Sequence, residues 1–281
     1  MVGFNFKTVY TIAKKEFMDN IRSKWIIAIS IIFIILTIVS SYVAGGQGEF
    51  GGMEETVVSL LSISVLLIPL IAIMLGFSTI AGEAEKGALY VVLSYPVRRI
   101  EVLIGKFLGL GAVLAVTPLI GFGLGGIVIA GTVGAEKGVA YIAFIGLTIL
   151  LGIMYLSAII FISALCKTRV RAIAGGVVLF FWAMIYGLII MSVYIATGGS
   201  YEDFFTGGLL NLPDWFWGSV VFSPGDLNQM AVMRAFDIKQ AFGFQIEAPE
   251  WMSMSFLLAV QMMWVIIPLI LAYFFFRRRD I

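Results

Sequence analysis

The sequence has no histidine and a single cysteine among 281 residues, and only 12 % of it is charged. Without histidine, the H-E-x-x-H pair of metalloproteases and any Ser-His nucleophile are excluded. Cys166 has no partner for an internal disulfide, sits beside Lys167, and needs no role beyond packing. The run G-x-x-x-x-G-K-[ST] does not occur, so the chain does not hold ATP in a P-loop. The most informative absence is positional. Six long stretches, together about half the protein, contain no Asp, Glu, Lys or Arg: 25–43, 57–79, 107–131, 139–165, 172–197 and 253–276.

Each stretch is long enough to cross a bilayer, since roughly 20 helical residues at about 1.5 Å each span the hydrocarbon core. With 61 % hydrophobic residues and a mean hydropathy of +1.06, the chain has too little polar surface for a soluble globule. The sequence predicts an all-α membrane protein, one polytopic domain over 1–281 with six transmembrane helices. The spans carry no carboxylate, which excludes an intramembrane aspartyl dyad or a carboxylate proton relay. A small-cation channel or proton-coupled carrier fits poorly for the same reason. A path for an apolar or amphipathic substrate, or one opened mechanically, fits better.

The net charge of +1 conceals a partition. Of 18 Lys and Arg, 15 fall in the leader, the second and fourth loops and the tail, while 11 of 17 acids fall in loops one, three and five. Because cytoplasmic loops retain Lys and Arg, both termini are expected in the cytoplasm. The basic clusters are juxtamembrane charge, not a nucleic-acid site. No cleavable signal peptide is expected, because the apolar run after the leader is too long for one.

In the leader, 5–24, Phe6, Tyr10, Ala13, Phe17 and Ile21 recur at helical spacing, with Lys15, Asp19 and Arg22 on the opposite arc. This predicts an interfacial helix in contact with membrane lipid, serving either as an anchor for the first span or as a partner-docking element. Loop one, 44–56, is glycine-rich and acidic and reads as flexible surface. Loop two, 80–106, predicts a short amphipathic helix that opens with Glu83 and Glu85, carries Leu89 and Leu93 on its apolar face, and stops at Pro96. Such a segment between two spans suits contact with a soluble partner. Gly121, Gly123 and Gly126 formally match G-x-G-x-x-G, but inside an apolar run with no preceding strand this is not a dinucleotide site. Close packing of helices, or a flexible gating helix, accounts for Gly105, Gly109, Gly121 and Gly125. Loop five, 198–252, predicts a small external cap with Trp215, Phe216, Trp217, Phe222 and Trp251 at the membrane surface, and a helix starting at Ser223-Pro224-Gly225-Asp226.

Three segments, Gly82-Glu83-Ala84-Glu85-Lys86-Gly87-Ala88-Leu89, Leu93-Ser94-Tyr95-Pro96-Val97-Arg98-Arg99 and Leu103-Ile104-Gly105-Lys106-Phe107, resemble the membrane subunits of ABC-2-type transporters. The layout is similar throughout: a leader with Lys14-Lys15-Glu16-Phe17, six spans and a long loop before the last. Ser223 to Asp226 is similar to a segment of the subgroup that includes the nitrous oxide reductase maturation permease. The resemblance implies an elbow helix at the leader and a cytoplasmic coupling helix seated in a separate ATPase, with Glu83, Glu85, Lys86, Gly87, Leu89, Leu93, Pro96, Arg98 and Arg99 as its contact set. It further implies two ATPase copies carrying ATP and Mg, no cofactor and no catalysis on this chain, a homodimer or a paralogous permease, export of an unidentified substrate, and a prokaryotic cell membrane. The rival readings are a non-conducting scaffold that recruits an external protein through 198–252, and an unassisted channel.

Overall fold

A computed structural model describes residues 4–46, 53–132, 137–199, 212–238, 240–241, 244–245 and 248–279. The leader forms α1 (Phe6–Ile21), followed by α2 (Lys24–Gly46), α3 (Met53–Gly76), α4 (Ala81–Glu85), α5 (Ala88–Ser94), α6 (Arg99–Thr132), α7 (Gly138–Leu165) and α8 (Arg169–Ala196). Then come α9 (Asp214–Ser219), a 3-10 turn over Val220–Phe222, α10 (Pro224–Phe236) and α11 (Met254–Arg278). A two-residue antiparallel ladder pairs Gln240 with Gln245 and Ala241 with Phe244. Among the described residues six helices are long and apolar enough to cross a membrane, and each contains or overlaps one of the charge-free stretches. The centre of loop one, residues 47–52, and residues 200–211 of loop five lie outside the described residues.

The helices reach beyond the charge-free stretches. Residues 99–106, expected in loop two, form the first two turns of α6, so this helix carries Glu101 and Lys106, both almost wholly buried. They are tolerated there because each is satisfied: Lys106 pairs with Glu16 and Glu83, and Glu101 accepts the backbone N–H of Asn5 at 2.7 Å and of Arg98 at 2.9 Å. Asn5 in turn caps α1 by accepting the Lys7 N–H at 3.0 Å.

Glycine sets how closely α6 is approached. A Cβ placed on Gly105 would stand 2.8 Å from Ile12 Cβ, and one on Gly109 would overlap the Ala13 carbonyl of α1. Farther along, a Cβ on Gly121 would meet Phe33 at 2.8 Å, and one on Gly125 would meet Ser41 Oγ at 2.9 Å, both on α2. Two small-xxx-small pairs therefore notch one helix for two neighbours, an arrangement that gains dispersion contact where lipid supplies no hydrophobic drive. On the α1 side Val9, Ile12, Ala13 and Glu16 are packed, with Phe17 and Ile21 of the expected apolar face partly buried against the core, whereas Phe6 and Tyr10 of that face are exposed. The reason is the notch: small Ala13 and the Glu16–Lys106 contact choose the docked side, leaving the aromatic rings to the surroundings.

Among the spans α7 is the most deeply buried and α8 the least. Against α7, α8 and α11 lies the 214–236 part of loop five. Ser219 and Val221 carbonyls accept from Tyr186 Oη (2.6 Å) and Trp264 Nε1 (2.8 Å), and Phe236 O accepts from Lys137 Nζ (3.1 Å). A Cβ on Gly225 would be 4.0 Å from the Tyr155 hydroxyl. Tyr155 is 17 residues beyond the start of α7, roughly 25 Å along its axis, while Phe236 lies beside that start. The segment 214–236 is thus a helical hairpin descending among the spans, with Ser223 at its tip capping α10. Trp217, Val220, Leu227, Val232 and Phe236 are buried in it, so Trp217 leaves the expected surface layer; Trp215 and Trp251 stay exposed, and Phe222 is exposed but beside the tip. Irregular backbone at such depth is stable only when protein side chains satisfy it, which the Tyr and Trp donors do.

Candidate functional site at the basic end of the bundle

At the end of the bundle that carries both termini, the chain between α3 and α6 folds back against three spans. Ser163 Oγ of α7 accepts the N–H groups of Ile80 (3.1 Å) and Ala81 (3.0 Å) and donates to Phe77 O at 2.8 Å. One hydroxyl thereby fixes the turn that leads out of α3. The segment expected as a single helix, 83–93, is two. Gly87 adopts φ +75°, the left-handed conformation that closes α4, and α5 starts directly after it. Tyr95 is extended before Pro96, as the proline ring requires.

The two acids of α4 diverge. Glu85 accepts the Arg169 N–H at 2.8 Å and so tethers α4 to the start of α8. Glu83 Oε1 lies 2.5 Å from Lys106 Nζ, and the same ammonium lies 2.7 Å from Glu16 Oε1. Lys106 therefore joins α1, α4 and α6 in one buried cluster, with Asn20 Nδ2 3.5 Å from the second Glu16 oxygen. Lys15 sits at its margin, 3.8 Å from Glu16 and 3.3 Å from Asp19. Burial lowers the Lys15 pKa, but Glu16, Asp19 and Glu83 together outweigh it and hold the ammonium above its ordinary range.

Basic side chains brace the last span. Arg99 Nη1 donates to the carbonyls of Phe276 (2.6 Å), Arg277 (3.0 Å) and Arg279 (2.8 Å), satisfying the free end of α11. Arg279 reaches across to Cys166 O (2.9 Å) and Lys167 O (3.2 Å) in the turn between α7 and α8. Burial lowers its guanidinium pKa, against the raising influence of Cys166 and Tyr90.

Between these braces α5 stands out as a ledge. Leu89 is fully buried beneath it and Leu93 is half-buried, while Tyr90 (55 %), Val91 (63 %) and Tyr95 (66 %) are largely exposed. Lys86, Pro96 and Arg98 are exposed on the same stretch, and Lys14 is exposed on α1, where Phe17 is half-buried. The residues of loop two thus fall into two groups: Glu83, Glu85, Gly87, Leu89 and Arg99 hold the segment, and Lys86, Tyr90, Val91, Tyr95 and Arg98 face outward. Lys106, Ser163 and Arg279 escaped sequence reasoning, because their partners are 23 to 115 positions away. The available signal for Lys106 was a lone cation at the edge of an apolar run. Among the described residues no group of three His, Cys, Asp or Glu is placed to hold a metal ion.

The profile described as ABC-2 family transporter protein matches residues 10–281. A curated protein of Pseudomonas aeruginosa, "Probable ABC transporter permease protein NosY", is 32 % identical over 282 residues, covering 97 % of this chain and 99 % of its own. A protein of the same designation from Stutzerimonas stutzeri is 31 % identical over 287 residues, covering 96 % of this chain and 98 % of its own.

Proposed function

The chain belongs to the ABC-2 family of transporter proteins, and from that premise we propose that it is a permease whose ledge at 86–98 seats a separate ATPase in the cytoplasm. The observation that carries this reading is the Lys106 cluster. A segment that presents exposed tyrosines outward and is ion-paired inward to α1 and α6 can pass a push from a soluble partner directly into a span. ATP and Mg would reside on that partner. Two permease chains, identical or paralogous, would combine with two ATPase copies, and closure of the ATPases would press on α4 and α5.

The leader α1 would act as an elbow beside the ledge, moving with α6 because Gly105 and Gly109 admit it so closely. The work done would be export of an unidentified substrate or transmission of motion across the membrane. The scaffold reading loses ground because much of loop five is occupied inside the bundle, bonded to Tyr186 and Trp264.

The test is reconstitution of the chain with an ATPase encoded beside it, reading both co-purification and nucleotide hydrolysis. Glu85→Lys and Gly87→Pro variants should assemble poorly or uncouple hydrolysis. Normal assembly and stimulation by both variants would sink the proposal.

A further inference from the structure

A cleft of about 510 Å3 opens at the basic end between α5, the turn joining α7 to α8, and the last turn of α11. Three cations line it, Lys167, Arg278 and Arg279, against one acid, Glu85. Glu85 is already engaged with the Arg169 N–H, and Arg279 with backbone carbonyls. Lys167 and Arg278 are different: among the described residues neither the Lys167 ammonium nor the Arg278 guanidinium has an ion-pair or hydrogen-bond partner, and the Arg278 guanidinium rests 3.9 Å over the Phe274 ring. The lining also has an apolar part, with Leu165 and Phe275 where α7 and α11 end. Leu165 and Phe274 are about half exposed, so hydrocarbon surface continues from the cleft along the outside of the spans.

Unpaired cations above an apolar wall, at the level where two spans stop, define an amphipathic anion. Soluble anions would use the charge and leave the wall unused. The cleft is of a size that holds a headgroup, and basic pockets between spans are a recurring means of recognising anionic lipid headgroups. We infer that this cleft binds the phosphate headgroup of an anionic glycerophospholipid, with its acyl chains running beside α7 and α11. The inference does not depend on how the chain is energised and is tested without an ATPase.

The full-length chain in nanodiscs of phosphatidylcholine and phosphatidylglycerol at 3:1, released into mild detergent for native mass spectrometry, should retain phosphatidylglycerol in preference to phosphatidylcholine. Each cation near an anionic group contributes about a factor of five in affinity. A Lys167→Gln/Arg278→Gln variant should therefore bind phosphatidylglycerol about 30-fold more weakly, and an Arg22→Gln/Arg171→Gln control, which removes two exposed cations outside the cleft, within about twofold of the unaltered chain. Equal retention of both lipids by the unaltered chain overturns the inference. So does equal loss in both variants, which would mean diffuse surface charge, and so does undiminished binding by the cleft variant. A diazirine phosphatidylglycerol on the unaltered chain guards against misfolding of a variant: labelling should centre on 165–167 and 275–279, and labelling confined elsewhere overturns the assignment. If the cleft variant instead keeps its lipid and loses a co-purifying protein, the cleft is a protein seat and the lipid inference fails.

Discussion

The Lys106 ammonium lies 2.7 Å from Glu16 Oε1, joining α6 to α1 across 90 positions of sequence, and both side chains are more than nine-tenths buried. Glu83 completes the cluster from α4. Removing the lysine leaves two carboxylates facing each other out of water. Lys106→Met should cost about 3 kcal/mol or more of stability, read as an earlier thermal transition of the detergent-solubilised chain. Adding Glu16→Gln and Glu83→Gln to Lys106→Met should recover most of the loss. A triple variant no more stable than the single would show that the cluster is not what holds these helices.

Gly109 predicts a steric test. Its Cβ would collide with the Ala13 carbonyl, a backbone atom that cannot swing away, whereas a Cβ on Gly123 of the same helix meets nothing within 4 Å. Gly109→Ala should lower stability by about 1–3 kcal/mol and expose the leader to limited proteolysis. Gly123→Ala should be neutral or stabilising by up to about 1 kcal/mol.

At Gly87 the obstacle is conformation, not space, since φ is +75° with open surroundings. Gly87→Ala should cost about 1 kcal/mol through left-handed backbone strain, and Gly87→Asn less, because asparagine visits that region more readily. Hydrolysis by a reconstituted ATPase should rank Gly, then Asn, then Ala. An Ala variant equal to glycine would mean that the break between α4 and α5 is not needed for coupling.

The exposed ledge predicts a separation of stability from assembly. Tyr90→Ala and Tyr95→Ala remove half-exposed rings and should shift stability by no more than about 0.5 kcal/mol. If the ledge seats an ATPase, each should weaken capture of that subunit about tenfold or more, since large aromatic side chains dominate such contacts. Unchanged capture in the double variant would move the docking surface elsewhere.

Six spans were legible because a lipid-facing helix must exclude charge over about 20 residues, a local property of sequence. The helix start at Ser223 was legible for a similar reason: cap, proline and acid are contiguous, and the Ser223 side chain does accept the Asp226 N–H. What sequence could not give was the level at which α10 sits. Its depth is set by Tyr186, Trp264 and Lys137, residues 33, 43 and 99 positions from the carbonyls they meet. In α1 the helical pattern was legible, but not which side meets α6, since a glycine notch on that helix and a buried ion pair decide it. In loop two the sequence pointed to the segment and missed its break at Gly87, since a glycine between two helical patterns is compatible with either one helix or two.

The hairpin over 214–236 also fixes an order of biogenesis. Its tip needs donors on both sides of it in the chain: Tyr186, made earlier, and Trp264, made later within the last span. Until residue 264 has left the ribosome, the Val221 carbonyl has no permanent partner at depth, and hydrocarbon would leave it bare. The hairpin can therefore rest at its final depth with that carbonyl met only once α11 has been made.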